Sequence, residues 1–332
     1  MGLLRPVGIV GTGSYAPARV LTNHDLEKMV ETSDEWITTR TGIKERRIAD
    51  EATATSDLAY EAAQRALAAA GIGAEAIDLI IVATITPDML FPATACLVQA
   101  KLGASRAAAF DLSAGCSGFV YAVATGAGFI ASGQYETVLV IGADTLSKIT
   151  NWKDRSTCVL FGDGAGAVVL RPVPEGYGIL STVLGADGTG GEKLTLPAGG
   201  SRRPFRFERE ETDEGLQYIH MCGADVFKFA VRVMPQAAEE VLAKAGLAPA
   251  DVQLLIPHQA NIRIIDAAAE RLGLERDRVM VNVDRYGNTS AASVALALDE
   301  AVRGGRIGRG GVAVLVGFGA GLTWGAVALR WY

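Results

Sequence analysis

Apolar residues recur along this chain with two alternating periods, which predicts a mixed α/β fold. In the segment 57–70 (DLAYEAAQRALAAA), Ala and Leu recur at helical spacing, and Gly71 follows where a helix would end. The next apolar run, 79–84 (LIIVAT), predicts a strand. Because such strands are apolar on both faces, we expect helices to cover both sides of the sheet.

The second half of the chain repeats this order. The segment 235–245 (PQAAEEVLAKA) predicts a helix, Gly246 ends it, and the apolar run 252–256 (VQLLI) predicts a strand. These elements correspond to the helix, glycine and strand of the first half at a constant offset. The repeat predicts that one β/α unit occurs twice.

Two further correspondences follow in the same order, the second of which consists of two pairs of segments. The matched segments are 107–112 with a predicted strand at 279–283 (VMVNV), 138–142 with 312–317, and 166–171 with 325–330. Three correspondences in one order predict an internal duplication, with halves at 1–173 and 174–332 related by a pseudo-twofold axis.

Composition and charge narrow the class of protein. The 332 residues are 49% hydrophobic and 20% charged, enough apolar material for a large core, and the mean hydropathy is +0.24. No run reaches the roughly 18 uncharged apolar residues of a membrane span, and the first residues lack a signal-peptide pattern. A net charge of −6 argues against nucleic-acid binding. Four cysteines without a CxxC pair suggest neither disulfides nor zinc, so we expect a cytoplasmic protein.

The duplication gives Cys116 and Asn288 equivalent positions. Each follows a predicted buried strand and a glycine, and each opens a helix, so the pseudo-axis would bring them together. A helix N-terminus favours the thiolate and lowers the pKa of a cysteine, which makes Cys116 a candidate nucleophile. The alternative is a small buried residue of the core.

Of the chain's three histidines, His258 is the best candidate for chemistry. It follows the apolar run LLIP, and HQANIR then begins a helix, so it lies at a strand end where open α/β folds present functional groups. His24 is expected at the surface or at a helix cap, and His220 in a strand. The glycine-rich segment 317–325 (GFGAGLTWG) can form a tight turn or direct backbone N–H groups at an oxyanion.

Over its whole length the chain resembles the β-ketoacyl-acyl carrier protein synthase III family, the initiating condensing enzymes of bacterial type II fatty-acid synthesis. The matching motifs are ETSDEWITTRTGI (31–43), AGCSGF (114–119), FGDGAGA (161–167), HQAN (258–261), GNTSAAS (287–293) and GFGAGLTWG (317–325). The resemblance implies a thiolase-like fold, layered α-β-α-β-α. It also implies the catalytic set Cys116, His258 and Asn288, whereas degradative thiolases have a second Cys and elongating synthases have two His.

The resemblance further implies a two-step reaction. An acyl-CoA primer, with acetyl-CoA as the expected one, would acylate Cys116 while the backbone N–H groups of Cys116 and Ala320 hold the oxyanion. Malonyl-acyl carrier protein would then lose CO₂, with His258 and Asn288 donating to the enolate oxygen. Neither metal nor redox cofactor is expected, because the CoA thioester is a substrate.

Binding roles also follow from the resemblance. Trp36 would stack on adenine, Arg40 and Arg155 would bind phosphates, and Gly223, Asn261 and Phe318 would line the pantetheine channel. Phe91 would cross a homodimer interface to close the partner's acyl pocket, and Lys228, Arg232 and Arg263 would dock the acidic carrier protein. The polar segment 199–215 is expected to form a surface loop.

Two other functions remain open from sequence. A related acyltransferase or polyketide ketosynthase would use the same acyl-Cys116 with a different acceptor. A cysteine hydrolase can also be built from Cys, His and Asn. The duplication weakens the hydrolase, because it puts Asn288 opposite Cys116 and not behind His258.

Overall fold

The computed structural model describes residues 5–204 and 215–332, which form two mixed sheets with helices on both sides. The strands there are β1 (Val7–Tyr15), β2 (Val20–Thr22), β3 (Glu45–Arg47), β4 (Leu79–Ala83), β5 (Ala108–Leu112), β6 (Val138–Thr145), β7 (Asp163–Pro172), β8 (Gly178–Ala186), β9 (Leu194–Thr195), β10 (His220–Met221), β11 (Val252–Pro257), β12 (Val312–Gly319) and β13 (Thr323–Arg330). The helices are α1 (Asn23–Leu26), α2 (Asp34–Thr41), α3 (Thr55–Ala70), α4 (Thr94–Leu102), α5 (Gly118–Ala131), α6 (Arg155–Cys158), α7 (Gly223–Lys244), α8 (Ile262–Leu272), α9 (Val283–Tyr286) and α10 (Ala292–Arg303).

The two large sheets repeat one topology. The first has the order β1-β7-β6-β4-β5, with β4 parallel to both β5 and β6 and antiparallel pairs from β6 to β7 and β7 to β1. The second has the order β8-β13-β12-β11, with β11 parallel to β12 and antiparallel pairs beyond it. Strands β4, β6, β7 and β1 therefore correspond to β11, β12, β13 and β8.

Helices separate and cover the sheets in five layers. Helix α3 covers the outer face of the first sheet, and α7 covers the outer face of the second. Helices α5 and α10 lie between the sheets and contact strands of both. The predicted α-β-α-β-α fold is confirmed, while the division at residues 173 and 174 stays a prediction.

The apolar core follows these layers. One cluster fills the middle, where Phe119 and Val123 of α5 meet Val294 and Leu298 of α10 and side chains of both sheets. A second lies between α3 and the first sheet, and a third lies between α7, α8 and the second sheet. The first turns of α5 and α10 are buried in this core, which holds the N-terminal ends of both helices rigidly.

The predicted strand at 279–283 is wrong. One parallel bridge joins Val279 to Leu255, with a backbone hydrogen bond of 2.8 Å from Met280. Beyond it, the side-chain oxygen of Gln259 accepts from the N–H groups of Asn282 and Val283. This side chain replaces the ladder that β5 forms at the equivalent place, so the chain turns into α9.

The predicted helix start at Pro235 is also wrong, because α7 begins at Gly223 and continues through the proline. Proline is common at the start of a helix, which is why Pro235 suggested one. Inside a helix, proline leaves one backbone carbonyl without its N–H donor. The earlier residues Phe229, Ala230 and Val233 form a buried face that packs in the outer core, and this packing maintains the helix. Within the described residues, no helix is long and apolar enough to cross a bilayer.

Candidate active site

Cys116 lies in the single 3-10 turn Gly115–Ser117 directly before α5. Gly115 has φ +55°, a left-handed conformation that favours glycine. A Cβ atom there would also lie 2.7 Å from the backbone nitrogen of Ala320. The turn thus places the buried Cys116 against Gly319 and Ala320, where β12 ends.

The backbones at Cys116 and Ala320 are in close contact. A Cβ atom on Gly319 would lie 2.4 Å from the backbone nitrogen of Cys116. Glycines at both 115 and 319 therefore allow the approach, which no larger residue permits without a shift. A close approach of the two backbones is one requirement of an oxyanion hole built from the N–H groups of Cys116 and Ala320.

The prediction that the helix end lowers the pKa of Cys116 is wrong for this structure. Burial is the main reason that the pKa of the Cys116 thiol is raised to about 12, and the nearby carboxyl group of Asp144 acts in the same direction. Burial outweighs the helix terminus because a thiolate loses its hydration in this apolar site. Cys116 is a thiol here at neutral pH.

Asn288 is fixed by backbone and side-chain bonds. Its N–H donates to the carbonyl of Leu160 at 2.8 Å, and its carbonyl accepts from Gly162 at 3.0 Å. Its side-chain oxygen accepts from the backbone N–H of Ser290 at 2.9 Å. Because the oxygen is engaged, the amide NH₂ group is the part of Asn288 that is left to donate to a ligand.

His258 follows β11 and is fully buried. Its ring Nδ1 lies 2.5 Å from the hydroxyl of Ser293, and its ring meets Phe318 edge-on at 5.2 Å. Its Nε2 is buried and has no hydrogen-bond partner among the described residues. Burial lowers the pKa of His258 to about 3, so the imidazole is neutral at neutral pH.

The segment 288–293 links these side chains. Its Ser290 lines the same cavity as Cys116, and its Ser293 hydroxyl bonds to the imidazole of His258. One short segment at the N-terminal end of α10 thus contains Asn288, lines the cavity of Cys116 and bonds to His258. Sequence analysis quoted the motif GNTSAAS but assigned no role to either serine.

A cavity of about 160 Å³ opens beside Cys116. The residues lining it are Ile85, Gly115, Cys116, Leu146, Ile149, Phe161, Leu194, Thr195, Leu196, Ile219, Ser290 and Ala320. Most are apolar, which suits an acyl chain. Sequence analysis missed them because they come from many segments and resemble any other core residues.

Trp36 lies half-buried on α2, with two cations close to its ring. The guanidinium of Arg40 lies 4.9 Å from its ring centroid, and that of Arg155 lies 5.1 Å from it. Arg155 also donates to the carbonyl of Glu31 at 3.0 Å. The structure thus brings the three residues predicted to hold CoA into one exposed cluster.

The three residues predicted to line the pantetheine channel have different surroundings. Phe318 contacts His258, and Gly223 is exposed at the start of α7. The amide of Asn261 donates to the carbonyl of Arg40 at 3.0 Å and its oxygen caps α8. Asn261 therefore joins α8 to the Trp36 cluster, and its side chain is already engaged.

The predicted docking cations are exposed on adjacent helices. Lys228 and Arg232 lie on α7, and Arg263 lies on α8 with its guanidinium 5.0 Å from the ring of Phe227. None of these cations forms an ion pair within 5–204 and 215–332. Phe91 lies elsewhere, in the loop before α4, with 84% of its surface exposed.

The two other histidines and the other cysteines lie in ordinary surroundings. His24 is exposed and contacts Glu27, and His220 lies in β10. All four cysteines are free, and the described residues contain no group of His, Cys, Asp and Glu suited to a metal ion. Most of the predicted loop at 199–215, residues 205–214, lies outside the described residues.

Comparison with known proteins gives matches over nearly the whole chain. Two family models match, described as 3-oxoacyl-[acyl-carrier-protein] synthase III at residues 110–188 and its C-terminal part at 242–331. The β-ketoacyl-[acyl-carrier-protein] synthase III of Caldanaerobacter subterraneus subsp. tengcongensis is 63% identical, over 98% of this chain and 97% of the relative.

Solved structures agree. The β-ketoacyl-[acyl carrier protein] synthase III of Thermus thermophilus is 55% identical with a TM-score of 0.91, covering 98% of this chain and 99% of that one. The priming β-ketosynthase of the R1128 polyketide pathway is 38% identical, also with a TM-score of 0.91, covering 100% and 98%.

The duplicated five-layer fold, with a buried cysteine at the start of a central helix, defines a thiolase-like enzyme. Within that class, the chain belongs to the 3-oxoacyl-[acyl-carrier-protein] synthase III family, the initiating condensing enzymes of fatty-acid synthesis.

Proposed function

We propose that this enzyme condenses an acyl-CoA primer, with acetyl-CoA as the expected one, with malonyl-acyl carrier protein. The products are a 3-oxoacyl-acyl carrier protein, CoA and CO₂. The observation that supports this most directly is the segment 288–293, in which Ser290 lines the same cavity as Cys116 and Ser293 bonds to the imidazole of His258. One site thus combines a nucleophile with donors for a developing oxyanion.

In the first step, the sulfur of Cys116 attacks the thioester carbonyl of acyl-CoA. The new bond is a Cys116 thioester, the bond between the acyl carbon and the CoA sulfur breaks, and the thiol proton leaves with CoA. The N–H groups of Cys116 and Ala320 bind the oxyanion formed in between. The cavity beside the sulfur receives the acyl chain.

In the second step, malonyl-acyl carrier protein loses CO₂ and forms an enolate. The Nε2 of His258 and the amide NH₂ of Asn288 donate to its oxygen in a site from which water is largely excluded. The enolate carbon attacks the acyl-Cys116 carbonyl, the product leaves, and the Cys116 thiolate takes up a proton. No step requires a metal or a redox cofactor.

The remaining roles belong to the same proposal. Trp36, Arg40 and Arg155 hold the CoA nucleotide, where adenine replaces one of the guanidinium groups on the Trp36 ring. Gly223, Asn261 and Phe318 lie along the pantetheine path. Lys228, Arg232 and Arg263 attract the acidic carrier protein.

The protein acts as a homodimer in the cytoplasm. Exposed Met89, Leu90 and Phe91 form an apolar loop tip that suits burial against a second copy. The halves 1–173 and 174–332 each supply part of the site. Cys116 comes from the first half, and His258 and Asn288 come from the second.

The alternative that the protein is a cysteine hydrolase is disfavoured by the residue that bonds to the imidazole of His258. In a hydrolytic triad the third residue orients the imidazole, whereas here Ser293 bonds to Nδ1 and Asn288 bonds to Ser290. A polyketide-priming role uses the same acyl-Cys116 and differs only in the carrier protein that accepts the product.

Intact-mass measurement tests the proposal. Acetyl-CoA should add one acetyl group to the protein, and malonyl-acyl carrier protein should then remove it with formation of the 3-oxoacyl product. Cys116→Ser should form no adduct, while the matched control Cys96→Ser, an exposed thiol on α4, should behave as wild type. Release of free acetate without condensation would establish the hydrolase instead.

A further inference from the structure

The imidazole of His258 has one side-chain partner among the described residues, and it is not a carboxylate. That partner is Ser293, the second residue of α10, which is 1% exposed. The backbone N–H of His258 donates to the carbonyl of Val316 at 2.8 Å, and Phe318 packs edge-on against the ring. The ring is therefore held in one orientation, with Nδ1 on the serine and Nε2 without a partner.

The bonds of Ser293 determine which way its hydroxyl points. Its oxygen accepts a weak hydrogen bond from the backbone N–H of Gln259 at 3.4 Å. This bond uses a lone pair of the oxygen and leaves the hydroxyl proton free to be donated elsewhere. Among the described residues, Nδ1 of His258 is the one acceptor within hydrogen-bonding range of this hydroxyl. A buried O–H group that fails to donate costs free energy, so the hydroxyl donates to Nδ1.

A neutral imidazole carries one N–H group, and the bond made at one nitrogen fixes the state of the other. If Nδ1 accepts from Ser293, the proton is on Nε2, which faces the site. A carboxylate in the same place would demand the opposite tautomer, with a lone pair on Nε2 that can remove a proton from Cys116.

We propose that Ser293 is a positioning residue that selects the Nε2-protonated tautomer of His258 and so prepares the imidazole for the donor role described above. This inference rests on the proposed condensation and deepens it. The buried, unpartnered Nε2–H then finds its acceptor in the enolate oxygen formed from the malonyl thioester. The proton of Cys116 leaves on the CoA sulfur without passing through His258.

Nitrogen-15 NMR of histidine-labelled protein tests this directly. The chain has three histidines, so the ring signals are few, and His258→Ala identifies those of His258. Long-range proton–nitrogen spectra near pH 7.5 should show Nε2 protonated and Nδ1 unprotonated, both before and after acetylation of Cys116. An Nδ1-protonated ring, or averaged signals from both tautomers, would overturn the proposal.

Variants separate positioning from folding. Ser293→Ala should shift His258 away from the Nε2-protonated tautomer and slow decarboxylation of malonyl-acyl carrier protein about tenfold to a hundredfold. Its acetylation by acetyl-CoA should stay within about threefold of wild type, because no proton passes through His258 in that step. Equal loss of both steps in a folded Ser293→Ala protein would contradict the assignment.

Ser293→Thr keeps the hydroxyl and should retain the wild-type tautomer, and Ser132→Ala, an exposed serine at the end of α5, is the remote control. If Ser293→Ala fails to fold, the tautomer of His258 observed in wild type and in Ser293→Thr still supports or overturns the assignment. The spectrum needs no substrate, so failure of the condensation assay in wild type would refute the proposed function and leave the tautomer assignment standing.

Discussion

The side-chain oxygen of Asn288 accepts a hydrogen bond of 2.9 Å from the backbone N–H of Ser290, two residues further along the chain. Only the oxygen of the amide can accept, so this bond fixes the orientation of the side chain and leaves its NH₂ group to donate. Ser290 lines the same cavity as Cys116, so this bond ties the Asn288 side chain to the wall of the acyl cavity.

This orientation predicts that Asn288 acts in the second step. Asn288→Ala should form the acyl adduct normally but condense about 10²–10³-fold more slowly, because a donor to the enolate oxygen is lost. Asn288→Asp is the matched variant, since it keeps an acceptor for Ser290 and lacks the NH₂ group. Rates of each half-reaction, followed by mass and by CO₂ release, check this. An Asn288→Asp enzyme with wild-type condensation would contradict the role.

The contact between the backbones of Gly319 and Cys116 predicts a steric effect on acylation. Gly319→Ala would place a Cβ atom 2.4 Å from the nitrogen of Cys116, so the two backbone donors must separate. We expect acyl transfer to fall about a hundredfold or more. Gly128→Ala in α5 has nothing within 4 Å of the new Cβ atom and serves as the control. Similar single-turnover acylation rates for the two variants would refute the oxyanion geometry.

The acyl cavity predicts a limit on primer size. Its volume of about 160 Å³ is close to that of an engineered apolar protein cavity of about 150 Å³ that binds benzene, a six-carbon ligand. Acyl-CoAs with up to about five carbons beyond the carbonyl should therefore react, and much longer chains should not. Adduct formation with a panel of acyl-CoAs measures this limit.

Truncation of a cavity residue should move the limit. Ile149→Ala removes about three carbons from the wall and should admit correspondingly longer chains. Val20→Ala, at an exposed position in β2, is the control and should leave the profile unchanged. An identical chain-length profile for Ile149→Ala and wild type would show that another surface limits the primer.

The exposed cations of α7 predict a salt-dependent interaction with the carrier protein. Lys228→Glu with Arg232→Glu should raise the KM for malonyl-acyl carrier protein about tenfold at low salt, with the difference shrinking as salt is added. Acylation by acyl-CoA should be unchanged. Lys244→Glu, at the far end of the same helix, is the control, and an equal effect of that change would argue against a local patch.

The lowered pKa of His258 predicts how stability changes with pH. The folded state holds this ring neutral, with its pKa lowered to about 3 by burial, while the unfolded state binds a proton below about pH 6.5. The contribution of the neutral His258 ring to the free energy of unfolding is therefore fully present above about pH 6.5 and is lost as the pH falls toward 3. The slope approaches about 1.4 kcal/mol per pH unit.

Urea unfolding of wild type and His258→Phe between pH 4 and 8 checks this. The free energy of unfolding of wild type should fall relative to the variant on acidification. Burial also raises the pKa of Asp144 and Asp163, but both carboxyl groups are present in each protein, so their effects largely cancel in the difference. A difference that is independent of pH would contradict a neutral buried ring.

Sequence predicted the repeated β/α unit because helices and strands leave different apolar periods in the chain. The helix ended by Gly71 is α3, and the run 79–84 contains β4. The predicted strand at 279–283 failed because the Gln259 side chain, distant in sequence, takes the N–H groups that a strand would pair. The helix start predicted at Pro235 was wrong because packing of the preceding residues outweighs the loss of one backbone hydrogen bond at the proline.

For the site, the sequence by itself determined which reactive residue types are present and that Cys116 and Asn288 have equivalent positions in a duplicated chain. Only the tertiary structure decided the state of the thiol, since burial depends on the segments that surround it and outweighs the helix terminus that a local pattern reveals. It also decided the orientations of Asn288 and His258. Each is set by a serine hydroxyl or a backbone N–H whose direction depends on how α10 packs between the two sheets.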